Sequence, residues 1–467
     1  QRRVFQSTPG RKVVVATNIA ETSITIDDIG FVVDAGRVRE LRHDHATRVA
    51  RLTTALCSQA AAAQRRGRAG RTRPGVCFRM YSRHTHGAMP PHADPEILRS
   101  PLEQVALRVK ALGHVDPRAI LDAMLDPPPA QAITAAESLL VAVGACVESG
   151  GALTALGRFV ADIPVDLRLA KMLVYGALLG ALDDALKLVA VMALDRPMFV
   201  GDRDAVRAAR CRFAASGLSD WLADVAAFDW LADSPGGAKP QDICVAPAAV
   251  RDIKATMRQL RDALKATGLV EESRKPSSPL VLKALVCAGL VPNIVRVRMP
   301  PQKFTQVIGG TVSKDHEARE VSFYAPAASP APWQTYDYRG DRRVFIHPQS
   351  TLFAETKFPA PFLVYFAQSM SAMGQKTYLR DATVPGIYAL LMFGPAPLTI
   401  DHENRVLSLA SGALSVRAWP RIAVLVTQLR ALLDELLRRK LEEPDSVSLS
   451  AHPVVQTVLQ LIETDGQ

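Results

Sequence analysis

The hydrophobic period of this chain changes twice along its 467 residues, and each change calls for a different kind of fold. Up to about residue 97 the apolar residues come in short β-branched runs closed by polar ones. Lys12-Val13-Val14-Val15-Ala16 and Phe31-Val32-Val33 read as strands buried on both faces of a sheet. Val38 to Leu41 and Val49 to Leu52 lie either side of the polar turn Arg42 to Thr47, as in a protruding hairpin. Gln59 to Arg66 is Ala-rich and helical, and Val76 to Tyr81 is a further strand. At residue 100 the spacing becomes helical. Ser100-Pro101-Leu102-Glu103 has the form of a capping box with proline at the first helical position. Leu102, Val105, Val109 and Leu112 follow at helical spacing, with Gly113 where a C-cap belongs. Pro127-Pro128-Pro129 breaks the chain before an Ala-rich helix from Ala130 to Val143, and helices continue to about residue 285. The polar segment Glu271 to Pro279 reads as a loop within that stretch.

After Gly289 the runs are short and β-rich again: Asn293 to Met299, Phe304 to Ile308, Glu320 to Tyr324, Arg343 to His347, Phe362 to Phe366 and Lys376 to Leu379. Such strands between Pro/Gly turns predict a small barrel, with an OB-type Greek key as the leading candidate. Helix returns from residue 415, most clearly at Ile422 to Leu441. The fold class expected is therefore multidomain: an α/β part, a mostly helical part and a small β-barrel. Trp221, Phe228 and Trp230 are expected as core anchors of the helical part, and Phe362, Tyr365 and Phe366 as packing residues of a barrel strand. The longest apolar stretch, Met172 to Leu194, carries Asp183, Asp184 and Lys187 in its middle. Charges there are costly in a bilayer, so two packed helices are expected and no membrane partner.

Charge is distributed unevenly. Residues 1–90 hold 16 Lys/Arg against 6 Asp/Glu, and the rest of the chain holds 40 of each, so the whole excess of +10 lies in the first fifth. A cationic field of that kind points to phosphate, in a nucleotide or a nucleic acid. The six cysteines are scattered with no CxxC pair, which argues against a disulfide scaffold or a cysteine zinc site and for an intracellular location, nuclear or cytoplasmic. The chain opens on Gln1 without a signal core or transit pattern and reads as a segment of a longer protein.

Two segments carry chemistry. Ala16-Thr17-Asn18-Ile19-Ala20-Glu21-Thr22-Ser23-Ile24-Thr25-Ile26-Asp27 puts hydroxyl and amide side chains at the end of a strand, where open α/β sheets bind ligands. Taken singly, its Thr, Ser and Asn are ordinary capping residues. Gln64-Arg65-Arg66-Gly67-Arg68-Ala69-Gly70-Arg71-Thr72 crowds four arginines that repel one another unless an anion lies between them. Its glycines admit close approach, and its guanidinium forks suit phosphate.

Together, the strand, the TNIAETS-type motif, the hairpin and QRRGRAGR resemble motifs V and VI of the DEAH/RHA family of ATP-dependent RNA helicases in superfamily 2. Arg73 to Tyr81 and Pro95 to Arg99 are similar to the end of that family's second RecA-like domain. The helical middle resembles its winged-helix and ratchet domains. Ser313-Lys314-Asp315-His316, His347-Pro348-Gln349-Ser350 and Tyr378 to Thr383 look like its OB-fold region. The resemblance divides the chain into a partial RecA-like domain (1–97), a winged helix (98–165), a helical ratchet (166–285), an OB fold (286–414) and a C-terminal helical extension (415–467).

The resemblance also implies roles. Arg68 and Arg71 match the arginine fingers that meet the γ-phosphate during phosphoryl transfer, and Gln64 the glutamine that positions the attacking water. Ser23 matches a γ-phosphate sensor, Asp27 a ribose ligand and Phe5 the aromatic on the base; Gly67 lies at the phosphate end. Thr17 and Asn18 match contacts to the RNA backbone, and Lys303, Arg319 and Lys376 are candidates to line an RNA channel on the barrel. The implied cofactor is ATP or another NTP with Mg²⁺, and the implied partners are single-stranded RNA, a first RecA-like domain in cis and an activator protein or RNP. The implied activity is 3′-to-5′ movement on RNA.

Neither GxxxxGKS nor GxxxxGKT occurs in the sequence, nor does DEAH, and Asp315-His316-Glu317-Ala318 reads as a surface turn. The segment alone is therefore expected not to hydrolyse ATP. His84, His86 and His92 lack partners at ligand spacing and are expected in a polar loop rather than a metal site. Two other functions fit less of the sequence: an RNA-binding or RNP scaffold without motor activity, which would not need Gln64, Arg68 and Arg71, and a DNA helicase of the same superfamily.

Overall fold

A computed structural model describes residues 2–6, 9–22, 26–44, 49–114, 116–215, 217–233, 239–269, 277–300, 304–306, 312–314, 321–326, 340–371, 376–394, 398–409, 414–443, 449 and 451–465. The chain forms two units, residues 1–44, 48–101 and 125–128, and residues 45–47, 102–124 and 129–467.

In the smaller unit, strands β1 (Phe31–Asp34) and β4 (Val76–Arg79) pair in parallel, Phe31 opposite Val76 and Asp34 opposite Arg79. Strands β2 (Arg37–Asp44) and β3 (Val49–Leu56) form the expected hairpin, longer than the apolar pattern alone marks out. Three short helices complete it: α1 (Ile19–Thr22), α2 (Gln59–Arg66) and α3 (Arg83–Gly87). The Ser58 hydroxyl accepts the Ala61 N–H, satisfying one of the orphan donors at the start of α2. Cys57, Ala62 and Met89 form a small core flanked by Val38, Ala61 and Tyr81. After α2 a 3₁₀ turn, Gly67–Gly70, is held tightly against the entry to β4: a Cβ at Gly75 would stand 1.8 Å from the Ala69 carbonyl oxygen. Glycine is forced there by backbone approach.

Two expectations fail in this unit. Lys12 to Ala16 forms no strand, and Val15 is 96% exposed. Strand β1 exists, but Phe31 and Val33 are each 70% exposed, with the Phe31 ring stacked on Phe78 at 6.4 Å. The reason lies in the two-residue period of a strand. Val32 and Asp34 turn inward, whereas nothing among the described residues covers the Phe31/Val33 face. An apolar run marks a doubly buried strand only where both faces meet a partner layer.

The larger unit begins with helices α4 (Glu103–Ala111), α5 (Arg118–Leu121), α6 (Ala130–Val143), α7 (Ala155–Ala161), α8 (Leu167–Leu178), α9 (Leu182–Met192), α10 (Arg203–Cys211), α11 (Asp220–Asp233), α12 (Pro247–Ala266) and α13 (Pro279–Leu290). The capping box is not used. The Ser100 N–H closes the preceding turn on the Glu96 carbonyl, and α4 starts without a side-chain cap. Its buried face is Ala106, Leu107, Val109 and Lys110, leaving Leu112 79% exposed. Met172 to Leu194 forms the expected pair of helices, with Gly176 so close to Ala185 that a Cβ would lie 2.4 Å from the alanine methyl. No described helix is long and apolar enough to cross a membrane. Trp221 and Phe228 are buried as expected, but Trp230 stays partly exposed, tilted against Phe213.

Beyond α13 comes a closed five-stranded barrel of β5 (Ile294–Arg298), β8 (Ser322–Ala325), β9 (Arg342–Ile346), β10 (Phe362–Met370) and β11 (Thr377–Thr383). Its order is β5-β8-β9-β11-β10 and back to β5, with only β9 and β11 parallel. That is the predicted OB-type Greek key. Val295, Val297, Phe323, Val344, Leu363 and Leu379 fill it. The described part of the expected run from Phe304, Phe304–Gln306, is not one of its staves. Strand β6 (Phe304–Gln306) pairs with β7 (Val312–Lys314) as a separate ribbon. Phe362 is buried and Tyr365 packs on the barrel core, while Phe366 sits under the Arg168 guanidinium at 4.8 Å. The unit continues through α14 (Ile387–Phe393), the antiparallel β12 (Leu398–Asp401), β13 (Val406–Leu409) and β14 (Leu414–Arg417), then α15 (Pro420–Glu442) and α16 (Pro453–Thr464).

A buried carboxylate ties the helices to the barrel. Asp220, at the start of α11, is 0% exposed and accepts the Ser350 hydroxyl (2.7 Å), the Thr351 N–H (2.7 Å) and hydroxyl (2.8 Å), and the Ala382 N–H (3.0 Å). Beside it the Arg210 fork grips Asp224 at 2.7 and 2.6 Å and reaches Asp381 at 3.0 Å. Burial works against the Arg210 charge, but Asp224, Asp220 and Asp381 outweigh it and hold the guanidinium protonated. Removing one partner of such a set leaves charge and donors stranded. Asp220→Ala is expected to destabilise the larger unit by about 3–5 kcal/mol, read as a lowered urea midpoint at unchanged slope. Nearby, burial and the charges of Arg380, Arg203 and Arg210 push His347 down to about 4. Its folded pKa lies below its unfolded one, so stability present above pH ~6.5 is lost as the pH falls towards that value. Urea midpoints across this window should decline more steeply for the wild type than for His347→Gln.

Candidate nucleotide and nucleic-acid site

Helices α1 and α2, which adjoin or carry much of the chemistry expected of the first hundred residues, are joined by the Arg65–Glu21 ion pair. The Thr17 and Asn18 carbonyls accept the N–H groups of Ala20 (3.2 Å) and Glu21 (2.9 Å), so this exposed pair begins the turn of α1. Gln64 lies exposed on α2, Arg68 is half-buried in the 3₁₀ turn, and Arg71 is exposed just after it. A Cβ at Gly67 or Gly70 would meet nothing within 4 Å, so a ligand could come close to the backbone there. The Gly67 N–H itself closes the end of α2 on Ala63 and Arg65 and offers space rather than a donor.

Further hydrogen bonds join segments that carry other expected residues. The Thr72 hydroxyl donates to the Asp27 carbonyl, which joins the turn bearing Asp27 to the segment bearing Arg71. Arg73 donates to the next carbonyl, Asp28, at 3.2 Å. Lys12 bridges the Asp28 carboxylate (3.1 Å) and the Gln6 carbonyl (3.3 Å), and the neighbouring Phe5 is exposed. The turn bearing Asp27 and Asp28 is thus bonded to the segment Thr72–Arg73 on one side and to Lys12 on the other. Ser23, Lys303, Arg319, Asp315 and His316 lie outside the described residues.

Sequence reasoning missed what relieves the arginine cluster. Arg65 is answered from within the fold: its Nε donates to Glu21 at 3.0 Å, and an Nη donates to Asp34 at 2.9 Å and to the Arg37 carbonyl at 3.1 Å. Asp34 also accepts the Gly36 N–H (2.9 Å) and the Tyr81 hydroxyl (3.0 Å). Burial pushes this carboxyl up, but those donors and the Arg65 charge outweigh it and hold it below the usual carboxylate range. The missed signal was an aspartate closing an apolar strand, a position that demands donors. His86, expected in a polar loop, stacks on Tyr81 at 6.3 Å. Among the described residues no cluster of His, Cys, Asp and Glu is arranged to hold a metal.

In the larger unit, Lys376 is exposed with its ammonium 5.0 Å from the Phe345 ring. Arg343 lies over Phe345 (5.3 Å) and Tyr324 (5.6 Å), and Tyr378 meets both Phe345 and His347. Tyr324 is buried, but Phe345, His347 and Tyr378 are half-buried beside the exposed Lys376, an arrangement that suits stacked bases and phosphates. The alternation of Arg343, Phe345 and His347 along one strand carried that signal.

Asp34→Asn is expected to cost the smaller unit about 2–4 kcal/mol by leaving Arg65 half-paired. Faster hydrogen exchange in β1 and α2 would register it. The wild-type contribution should disappear only in acid, as the pH falls below ~3.9 towards the lowered pKa of this group.

Two family descriptions match the chain: an oligonucleotide/oligosaccharide-binding fold over residues 282–397 and a C-terminal domain in RNA helicases over residues 407–464. A protein of Mycosarcoma maydis named as a DEAH-box ATP-dependent helicase is 37% identical over 512 residues, covering 100% of this chain and 32% of the relative. A DExH-box ATP-dependent RNA helicase of Arabidopsis thaliana is 32% identical, covering 99% of this chain and 45% of its own length. The ATP-dependent RNA helicase DHX29 of Homo sapiens is 32% identical, covering 98% and 33%. The chain thus spans between about a third and under half of the length of these relatives.

Proposed function

From a chain related along its whole length to DExH-box ATP-dependent RNA helicases, we infer that it supplies one lobe of an RNA-stimulated NTPase motor, together with the strand-holding barrel and helices. The substrate is ATP or another NTP with Mg²⁺. Arg68 and Arg71 stabilise the charge that develops on the γ-phosphate, Gln64 orients the attacking water, and Asp27 and Phe5 hold the ribose and base. Thr17 and Asn18 grip the RNA backbone, Lys376 acts from the barrel, and Lys303 is a further contact to RNA. Movement runs 3′ to 5′ and remodels RNA or RNP inside the cell. The smaller unit is the second RecA-like domain, and helices α4 to α7 form a winged helix. The uncovered apolar face of Phe31, Val33, Val76 and Phe78 supports a sheet that is continued by further structure of the same domain.

The observation that best supports this reading is the bond from the Thr72 hydroxyl to the Asp27 carbonyl, which joins the turn bearing the candidate ribose ligand to the segment that follows the second candidate finger, Arg71. The β-phosphate cradle and the principal Mg²⁺ ligands come from a first RecA-like domain, because the sequence holds no P-loop pattern. This chain alone is therefore inactive in ATP hydrolysis.

In the full-length protein, Arg71→Ala should lower ATP turnover by about 10³-fold while RNA affinity stays close to wild type, measured by phosphate release and by fluorescence anisotropy with oligouridylate. An equal fall in RNA affinity would mean that Arg71 is an RNA contact.

A further inference from the structure

We propose that Arg65 is a positioning residue that couples RNA at Thr17 and Asn18 to the arginine fingers, through a guanidinium held between one fixed carboxylate and one movable one. This rests on the reading above, in which Thr17 and Asn18 face RNA and Arg68 and Arg71 face the nucleotide.

Asp34 is the fixed end. It ends β1 almost wholly buried, and the Gly36 N–H and Tyr81 hydroxyl hold it in place besides Arg65. Glu21 is the movable end. It belongs to α1, a single helical turn whose first carbonyls are those of Thr17 and Asn18. Anything that shifts those two exposed residues shifts the Glu21 carboxylate with them. Arg65 bonds both ends with different nitrogens, Nε on Glu21 at 3.0 Å and Nη on Asp34 at 2.9 Å. The side chain is mostly shielded from water, so neither bond is readily exchanged for solvent.

A pull on Nε with Nη pinned turns the guanidinium about Asp34, and the turn passes to the end of α2. Arg65 lies three residues before Arg68 and six before Arg71, and the short turn between them is clamped where Gly75 meets Ala69. Rotation at Arg65 therefore re-aims the fingers instead of dissipating in a loop. Only a planar fork can span both carboxylates; a lysine ammonium is a point donor that keeps the charge and loses the bridge.

The test uses the full-length protein with oligouridylate. Arg65→Lys, and separately the isosteric Glu21→Gln, should cut the ratio of RNA-stimulated to basal ATP turnover by about tenfold. Basal turnover and oligouridylate affinity should stay close to wild type, while the thermal midpoint falls, as for Asp34→Asn, because part of the ion-pair set is lost. The double variant should lose no more than either single one, because both break the same bridge. A wild-type stimulation ratio in both single variants, or losses that only follow the thermal midpoint, would overturn the coupling. Arg71→Ala run in parallel separates the two claims. If it keeps full turnover, the nucleotide reading itself is wrong; if it is inactive while Arg65→Lys is stimulated normally, only the coupling is.

Discussion

A carboxylate removed from water must be surrounded by donors, and the larger unit is organised around one that is. Asp220 begins a helix, yet its oxygens are spent on the barrel: two hydroxyls and two backbone N–H groups from β11 and the turn after β9. Arg210 and its three carboxylates extend the same arrangement. Hydrophobic packing would tolerate some sliding of the barrel on the helices, but directed hydrogen bonds allow one registration. The smaller unit repeats the principle around Asp34, where a strand end, the turn after it, a helix and a tyrosine meet on a single acid.

These two acids mark the limit of what the sequence discloses. Period alone located the helix from Ala130 to Val143, the paired helices α8 and α9 and the barrel, because each buries an apolar face whose repeat is visible residue by residue. The polar turn between two β-rich runs located the hairpin of β2 and β3, although Leu41 and Leu52 stay exposed. Sequence pattern failed at Lys12 to Ala16 and at Ser100, and at Phe304–Gln306 it found a strand without its place in the sheet. In each case the outcome was set by a partner, or the lack of one, elsewhere in the chain. The arginine-rich segment announced phosphate chemistry. It did not announce that Arg65 would be neutralised from inside, since Glu21 and Asp34 lie 44 and 31 residues away. Long-range polar pairing has no local periodicity to betray it.

The two units also divide the proposed labour by their chemistry. The smaller one concentrates positive charge and backbone close approach, which serve a compact, highly charged ligand. The larger one presents rings and cations in alternation on a rigid barrel, which serve a long polymer whose bases all offer a π-face. Binding of the second kind is indifferent to sequence, so any preference among transcripts has to be imposed by other parts of the machine.

The close approach at Gly75 has an implication for how variation in this chain should be interpreted. The residue has no side chain and no charge, yet even a methyl group would collide with the Ala69 carbonyl and dislodge the segment that carries Arg68 and Arg71. A survey of damaging changes would accordingly rank a chemically silent position alongside the arginines, and intolerance to replacement would report the machining tolerance of a mount rather than participation in the reaction.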